Sequence, residues 1–345
     1  MSQIPREGNQ RVERIESLRH WLQSVLGLDA FGLSPASNDA SFRRYFRVRF
    51  EDGRPSLIAM DAPPGREDCR PYLHAAELFA AAGVHVPAVH AHDLDQGFLL
   101  LSDLGDATYL AALGEAEDSA DRLYGDALDA LVRIQLASRP GALPEYSREL
   151  LARELALFPD WYVARQLGRE LTAAQRQAIE ESFALLLANN LAQPRVFVHR
   201  DYHSRNLMLA EPNPGILDFQ DAVYGPLTYD LVSLLRDAYI SWPEERIIDW
   251  CVRYWEKARS AGLPVAADFS AFYRDFEWMG AQRQIKVLGI FARLCYRDGK
   301  EGYLGDQPLV MRYLRGACGR YRELGPLARL LDQLEPVERT VGHTF

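Results

Sequence analysis

Val198-His199-Arg200-Asp201-Tyr202-His203-Ser204-Arg205-Asn206, followed by Ile216-Leu217-Asp218-Phe219, is the stretch on which the fold turns. Two short apolar runs, 196–198 and 215–217, read as strands flanking segments dense in His, Asp and Asn. Asn206 lies five residues after Asp201, and Asp218 twelve beyond that. Loops anchored on rigid elements carry reactive groups, so chemistry is expected here. Asn206 and Asp218 can offer hard oxygen donors from the two arms of a hairpin, the donor type that a divalent cation such as magnesium takes. Asp201 between them is placed to accept a proton from, or orient, an attacking hydroxyl.

Upstream, the pattern is rich in β signals. Val12, Ile15, Leu18, Leu22 and Val25 recur at helical spacing and predict an amphipathic helix over 12–26. Residues 42–50 and 57–60 read as a hairpin turning at Asp52-Gly53. A helix over 67–82 is expected to stop at Gly83, and 84–91 and 97–101 read as two further strands joined by a turn at 93–96. From Leu104 onward long helical patterns dominate, notably 121–137, 172–191, 243–261 and 269–297. The expectation is an α+β chain with a small β-rich lobe over 1–102 and a larger helical lobe over 103–345.

Composition narrows the function. The 345 residues carry 48 acidic and 39 basic side chains, a net charge of −9, which argues against nucleic-acid and anionic-membrane partners. Cys69, Cys251, Cys295 and Cys318 are scattered, with no zinc spacing and no disulfide framework, so reduced thiols and a cytoplasmic location are expected. No apolar stretch reaches transmembrane length, and the first ten residues are polar. A monomer is the favoured state.

The order His199, Asp201, Asn206 and Asp218 resembles the catalytic loop and metal-binding aspartate of kinases. With Leu217-Asp218-Phe219 it is similar to the aminoglycoside phosphotransferase superfamily, which implies a protein-kinase-like bilobal fold acting on small molecules with ATP and magnesium. The strings Asp201 to Met208, Leu217-Asp218-Phe219-Gln220-Asp221-Ala222, Tyr224-Gly225-Pro226 and Tyr229 to Asp237 are similar to one subfamily, the anomeric amino-sugar kinases of bacterial cell-wall recycling. So are Asp39 to Arg47, Met60-Asp61-Ala62-Pro63-Pro64 and Lys286 to Leu294, so the likeness covers nearly the whole chain. It implies transfer of the ATP γ-phosphate to the C1 hydroxyl of a free N-acetylated amino sugar, N-acetylmuramate or N-acetylglucosamine. Asp201 is implied as base, Asn206 and Asp218 as magnesium ligands, and His199 as a support of the loop. Asp230 reads as a helix-start or loop-bracing carboxylate.

One departure stands out. Kinases place a lysine on the third strand, whereas Leu57-Ile58-Ala59-Met60-Asp61 has none, and the chain's three lysines are Lys257, Lys286 and Lys300. Phosphate charge must then be met by arginine or by backbone N–H groups of the Asn38 to Phe42 turn, Ser41 among them, with Arg43 or Arg44 preferred over Arg47. Strand alternation forbids Arg43 and Arg44 from sharing a face. Glu77 is a candidate to orient such an arginine. Adenine is expected along 100–104, with Leu101 and Asp103 in contact. For the sugar, His203, Asp221, Tyr224 and Trp161 are candidates. Arg283 interrupts an apolar stripe of Phe276, Met279, Val287, Ile290 and Leu294, so it needs either an acidic partner such as Asp201 or the substrate. Two other readings stay open, an aminoglycoside or other hydroxyl kinase of the same superfamily and a catalytically silent nucleotide-binding regulator.

Overall fold

Alternating apolar residues in the first hundred positions build one antiparallel sheet, and long helical repeats build the rest. A computed structural model describes residues 4–37, 42–115 and 117–336. In chain order the elements are α1 (Ile4–His20), β1 (Phe31–Ser37), β2 (Arg44–Phe50), β3 (Leu57–Asp61), α2 (Arg70–Ala81), β4 (Val89–Asp93), β5 (Phe98–Ser102), α3 (Tyr109–Glu115), α4 (Ala120–Leu136) and α5 (Arg148–Leu157). There follow α6 (Ala173–Ala192), β6 (Arg195–Val198), β7 (Leu207–Met208), β8 (Gly215–Ile216), β9 (Val223–Pro226), α7 (Tyr229–Leu235), α8 (Glu244–Ser260), α9 (Phe269–Asp298), α10 (Gln307–Arg320) and α11 (Gly325–Leu334). The chain divides into two units, Met1–Ala107 with Met208–Asp221, and Thr108–Leu207 with Ala222–Phe345. None of the helices among the described residues is long and apolar enough to cross a membrane.

In the first unit the strand order is β1-β2-β3-β5-β4, antiparallel throughout. Phe46 and Val48 of β2, Ala59 of β3 and Phe98 and Leu100 of β5 form one apolar cluster with Leu18, Trp21, Leu22 and Phe31. Helix α1 differs from the 12–26 expectation. It runs Ile4–His20 and then widens into a π-type segment, Trp21–Val25, which shifts the angular register of the apolar face. Trp21 and Leu22 are buried as a result, while Val12 and Val25 are 61% and 64% exposed. Strand β1 has no counterpart in the sequence expectation. Gly32 and Pro35 disguise it, and both are tolerated because β1 is an edge strand paired only with β2. The β4–β5 turn requires Gly97, whose φ is +71° and whose absent Cβ would fall 1.8 Å from the Ala62 carbonyl oxygen.

The second unit is organised around α9. Its N-cap, Asp268, accepts a hydrogen bond from the Ala271 N–H at 3.1 Å, and Gly299 ends it in the left-handed region. The expectation of a single apolar stripe fails here. Between Phe276 and Ala292 nearly every residue is buried, because α5, α6, α7 and α10 surround the helix. Gly289 permits the closest approach, since a Cβ there would lie 2.5 Å from the Leu157 backbone. Polar side chains on α9, among them Arg283 and Lys286, are therefore carried into the core. Strand β6 pairs antiparallel with β9 in the same unit, with Phe197 opposite Tyr224.

Candidate active site

In the first unit the arginines sort by strand face. Arg44 shares a face with Phe46 and Val48 and reaches the fully buried Asp61 carboxylate at the end of β3, which also receives Arg14. Asp61 thus occupies the region where a kinase lysine was sought and draws two guanidinium groups to itself. Arg47 is held on the opposite face by Asp103, Asp106 and the Gly105 carbonyl. Ser56 donates to Asp103 at 2.6 Å and the Gly105 N–H at 3.0 Å, so the Asp103 side chain is spent as a brace. Leu101 is buried in β5 opposite Ile58. Arg43 takes a third course, with its Nη2 4.0 Å from Asp218 Oδ1. Glu77 is exposed and meets no arginine among the described residues, which removes it as the expected orienting group. Ser41 lies outside the described residues.

Asp218 has a φ of +65°, a conformation unfavourable for a non-glycine residue and typical of functional positions. Phe219 pins this turn by packing on Tyr72 and Phe79, with ring centroids 4.8 and 5.7 Å away. Gln220 donates to Asp218 Oδ1 at 2.8 Å, and the carboxylate keeps 35% of its surface open.

In the second unit the loop after β6 is held by four anchors. Arg200 also has a positive φ, +78°, which its surroundings enforce. The buried Asp230 carboxylate accepts the N–H groups of His199 and Arg200 at 2.6 and 3.0 Å, and Ser233 donates to the Arg200 carbonyl at 3.3 Å. His199, fully buried, accepts the Asp201 N–H at 3.2 Å, as expected of a loop support. Asp237 accepts both the N–H and the hydroxyl of Ser204, at 2.9 and 2.5 Å, and Tyr202 donates to the Ala127 carbonyl at 2.8 Å. Asn206 donates its amide to the Asp201 carbonyl at 3.0 Å, which turns its Oδ1 the other way.

Beneath this loop lies a charged cluster that the sequence did not disclose. Glu154 of α5 accepts from Tyr146 and Arg200 and pairs with Lys286 of α9 at 3.1 Å, while Lys286 donates to the Tyr229 hydroxyl at 2.8 Å. Burial pushes Glu154 upward, but Lys286, Arg200 and the Tyr146 hydrogen bond outweigh it and hold the group below its usual value. Lys286 is shifted the opposite way, upward, because Glu154 and Tyr229 overcome the effect of burial. Asp201 follows the same logic. Burial raises it, and the charges of Lys286, His203, Arg200 and Arg283 together bring it below the usual carboxylate range. Its carboxylate accepts no hydrogen bond from any described residue and keeps partial access to solvent. An ionised, unengaged carboxylate is what an incoming hydroxyl requires.

The sugar candidates fall out unevenly. His203 and Arg283 lie close enough to Asp201 to act on its charge. The buried Nδ1 of His203 and Nη1 of Arg283 have no hydrogen-bond partner. The sought acidic partner of Arg283 is therefore not hydrogen-bonded to it. Tyr224 lies partly exposed in β9, and its backbone bonds Pro144 and Tyr146. Trp161 sits partly exposed in a π-type segment, Phe158–Gln166, that packs on α9. Asp221 is exposed and belongs to the first unit.

Magnesium chemistry suits the donor set. Among the described residues no cluster of three acidic, histidine or cysteine side chains exists to cage a metal. Magnesium binds through one or two protein oxygens plus substrate phosphates, and the partly open Asp218 carboxylate in the first unit and the Asn206 amide oxygen in the second are each donors of that type.

Known proteins resemble this chain over most of its length. A family model described as a phosphotransferase enzyme family matches residues 32–267. An N-acetylmuramate/N-acetylglucosamine kinase from Neisseria meningitidis is 52% identical over 97% of this chain and 100% of its own length. One from Pseudomonas aeruginosa is also 52% identical, over 93% of this chain and 97% of its own. An amicoumacin kinase in complex with AMP-PNP and Ca2+ shares the fold at a TM-score of 0.61 and 14% identity, covering 88% of this chain and 95% of the other.

Proposed function

The chain belongs to the phosphotransferase enzyme family, and from that premise we propose that it phosphorylates the anomeric C1 hydroxyl of N-acetylmuramate or N-acetylglucosamine, with ATP and magnesium, to the α-1-phosphate. The observation that carries the reading is the Asp201 carboxylate, which accepts no hydrogen bond from any described residue and is held below the usual carboxylate range by nearby cations, among buried groups with unmet hydrogen bonds. Asp201 accepts the C1 hydroxyl proton as the O1–Pγ bond forms and the bond from Pγ to the ADP oxygen breaks. When bound through Asn206 and Asp218, magnesium neutralises charge on the phosphate oxygens. Arg43, beside Asp218, and backbone groups of 101–103 serve the nucleotide. The cations around Asp201 disfavour a polycationic aminoglycoside acceptor. Such an enzyme serves recovery of cell-wall amino sugars in the cytoplasm.

Phosphorus NMR of reactions holding ATP, magnesium and each free sugar tests this, because an anomeric phosphate is acid-labile and non-reducing. No new phosphate resonance with either N-acetyl amino sugar would sink the proposal. Asp201→Asn should lower turnover by about 10²–10⁴-fold while AMP-PNP affinity holds within about twofold. A variant that keeps full activity removes Asp201 from this role.

A further inference from the structure

Four cations are buried among the described residues: Arg47, Arg236, Arg283 and Lys286. Three have acidic partners, Arg47 with Asp103, Arg236 with Glu244 and Lys286 with Glu154. Arg283 is 4% exposed, yet it makes no hydrogen bond or ion pair with any described residue, and its Nη1 is wholly buried. A buried guanidinium without an acceptor is costly, and this fold satisfies its other buried cations. The electrostatic neighbours of Arg283 include Asp201 and His203, and the buried Nδ1 of His203 is likewise unbonded. An unmet arginine, an unmet histidine and an unengaged carboxylate therefore lie within electrostatic reach of one another in the second unit, which carries the loop assigned to the acceptor.

We infer that Arg283 is the specificity-determining residue of the acceptor site, receiving the carboxylate of an acidic N-acetyl amino sugar and so favouring N-acetylmuramate over N-acetylglucosamine. The inference rests on the acceptor reading above. Guanidinium suits a carboxylate through paired N–H donors. N-acetylmuramate differs from N-acetylglucosamine by a lactyl ether on C3, two ring positions from the reacting C1, so one sugar can offer its hydroxyl to Asp201 and its carboxylate to Arg283. A neutral sugar leaves Arg283 unsatisfied.

The test is steady-state kinetics of wild type, Arg283→Gln and Arg283→Lys with each sugar, and with the methyl ester of N-acetylmuramate. In Arg283→Gln, kcat/KM for N-acetylmuramate should fall about 10- to 100-fold further than for N-acetylglucosamine, the scale of a hydrogen-bonded charge pair. Arg283→Lys should restore part of that ratio. The wild type should handle the ester worse than the acid by a similar factor, a comparison that needs no variant to fold. Equal losses for both sugars, within about threefold, overturn the inference, as does an ester used as well as the acid. A change confined to the KM for ATP overturns it too, by moving Arg283 to the nucleotide phosphates. A wild type that phosphorylates neither sugar fails the acceptor reading itself, and this inference with it.

Discussion

Replacing Glu154 with Gln strips the counter-charge from two cations at once. The Glu154 and Lys286 side chains are only 7% and 9% exposed, and Arg200 shares the same carboxylate. Removing one partner of a buried ion pair costs about 3–5 kcal/mol, because the remaining charge stays out of water. A domain of about 150–250 residues, the size of the second unit, loses about 2–4 °C of melting temperature per kcal/mol. Glu154→Gln should therefore melt about 6–20 °C below wild type by scanning calorimetry. A second substitution, Lys286→Met, should return part of the loss, since it removes the stranded ammonium. The pH dependence follows from the directions of the shifts. Glu154 is depressed in the folded state, so its contribution is present above the unfolded carboxylate value and is lost only as pH falls through the lower folded value. Lys286 is raised, so its contribution holds below the unfolded amine value and is lost as pH rises through the higher folded one. Between about pH 6 and 9 both stay charged, and the gap between wild type and variant should be flat. A melting temperature within about 1 °C of wild type would refute the reasoning, as would a double variant no better than the single one.

On the nucleotide side, Arg43→Ala should raise the KM for ATP about 10- to 100-fold with a smaller effect on the sugar KM, and unchanged ATP kinetics would leave the phosphates to backbone groups. Asp237→Asn weakens the two bonds to Ser204, and kcat should fall with the KM for ATP nearly constant; a normal kcat would show that the loop keeps its shape without that anchor. Asp230, pushed up to about 7 by burial against the opposing hydrogen bonds from His199 and Arg200, makes the folded protein bind a proton that the unfolded chain has lost. Its contribution to stability should decline as pH rises from about 4 to 7, so urea denaturation of Asp230→Asn should show a shallower decline over that window, and identical slopes would contradict it.

The long helices were legible because they repeat their apolar pattern over many turns; 269–297 and 243–261 match α9 and α8 to within one residue at each end. Strand β1 was hidden by Gly32 and Pro35, since edge position is a tertiary property. In the site, the loop around Asp201 announces itself through residue type and spacing alone. Glu154, Tyr146, Tyr229 and Lys286 do not, because they come from three separate segments, Tyr146 and Glu154 from one and Tyr229 and Lys286 from two others, and only folding brings these together. Arg283 drew notice by breaking an apolar stripe, but the sequence has no means of stating that the charge would be buried on a helix packed from all sides.

The first unit contains no lysine at all, and arginines gather at its Asp61, Asp103 and Asp218. A guanidinium does not deprotonate in the working range of any enzyme, so this unit has no lysine ammonium that could lose its charge in alkali. The same substitution changes its pharmacology. Acylating probes that label kinases through a strand lysine find no lysine in this unit, and lysine acetylation cannot act on it. Dicarbonyl reagents, which modify guanidinium groups, become the chemical handle on this unit's cations.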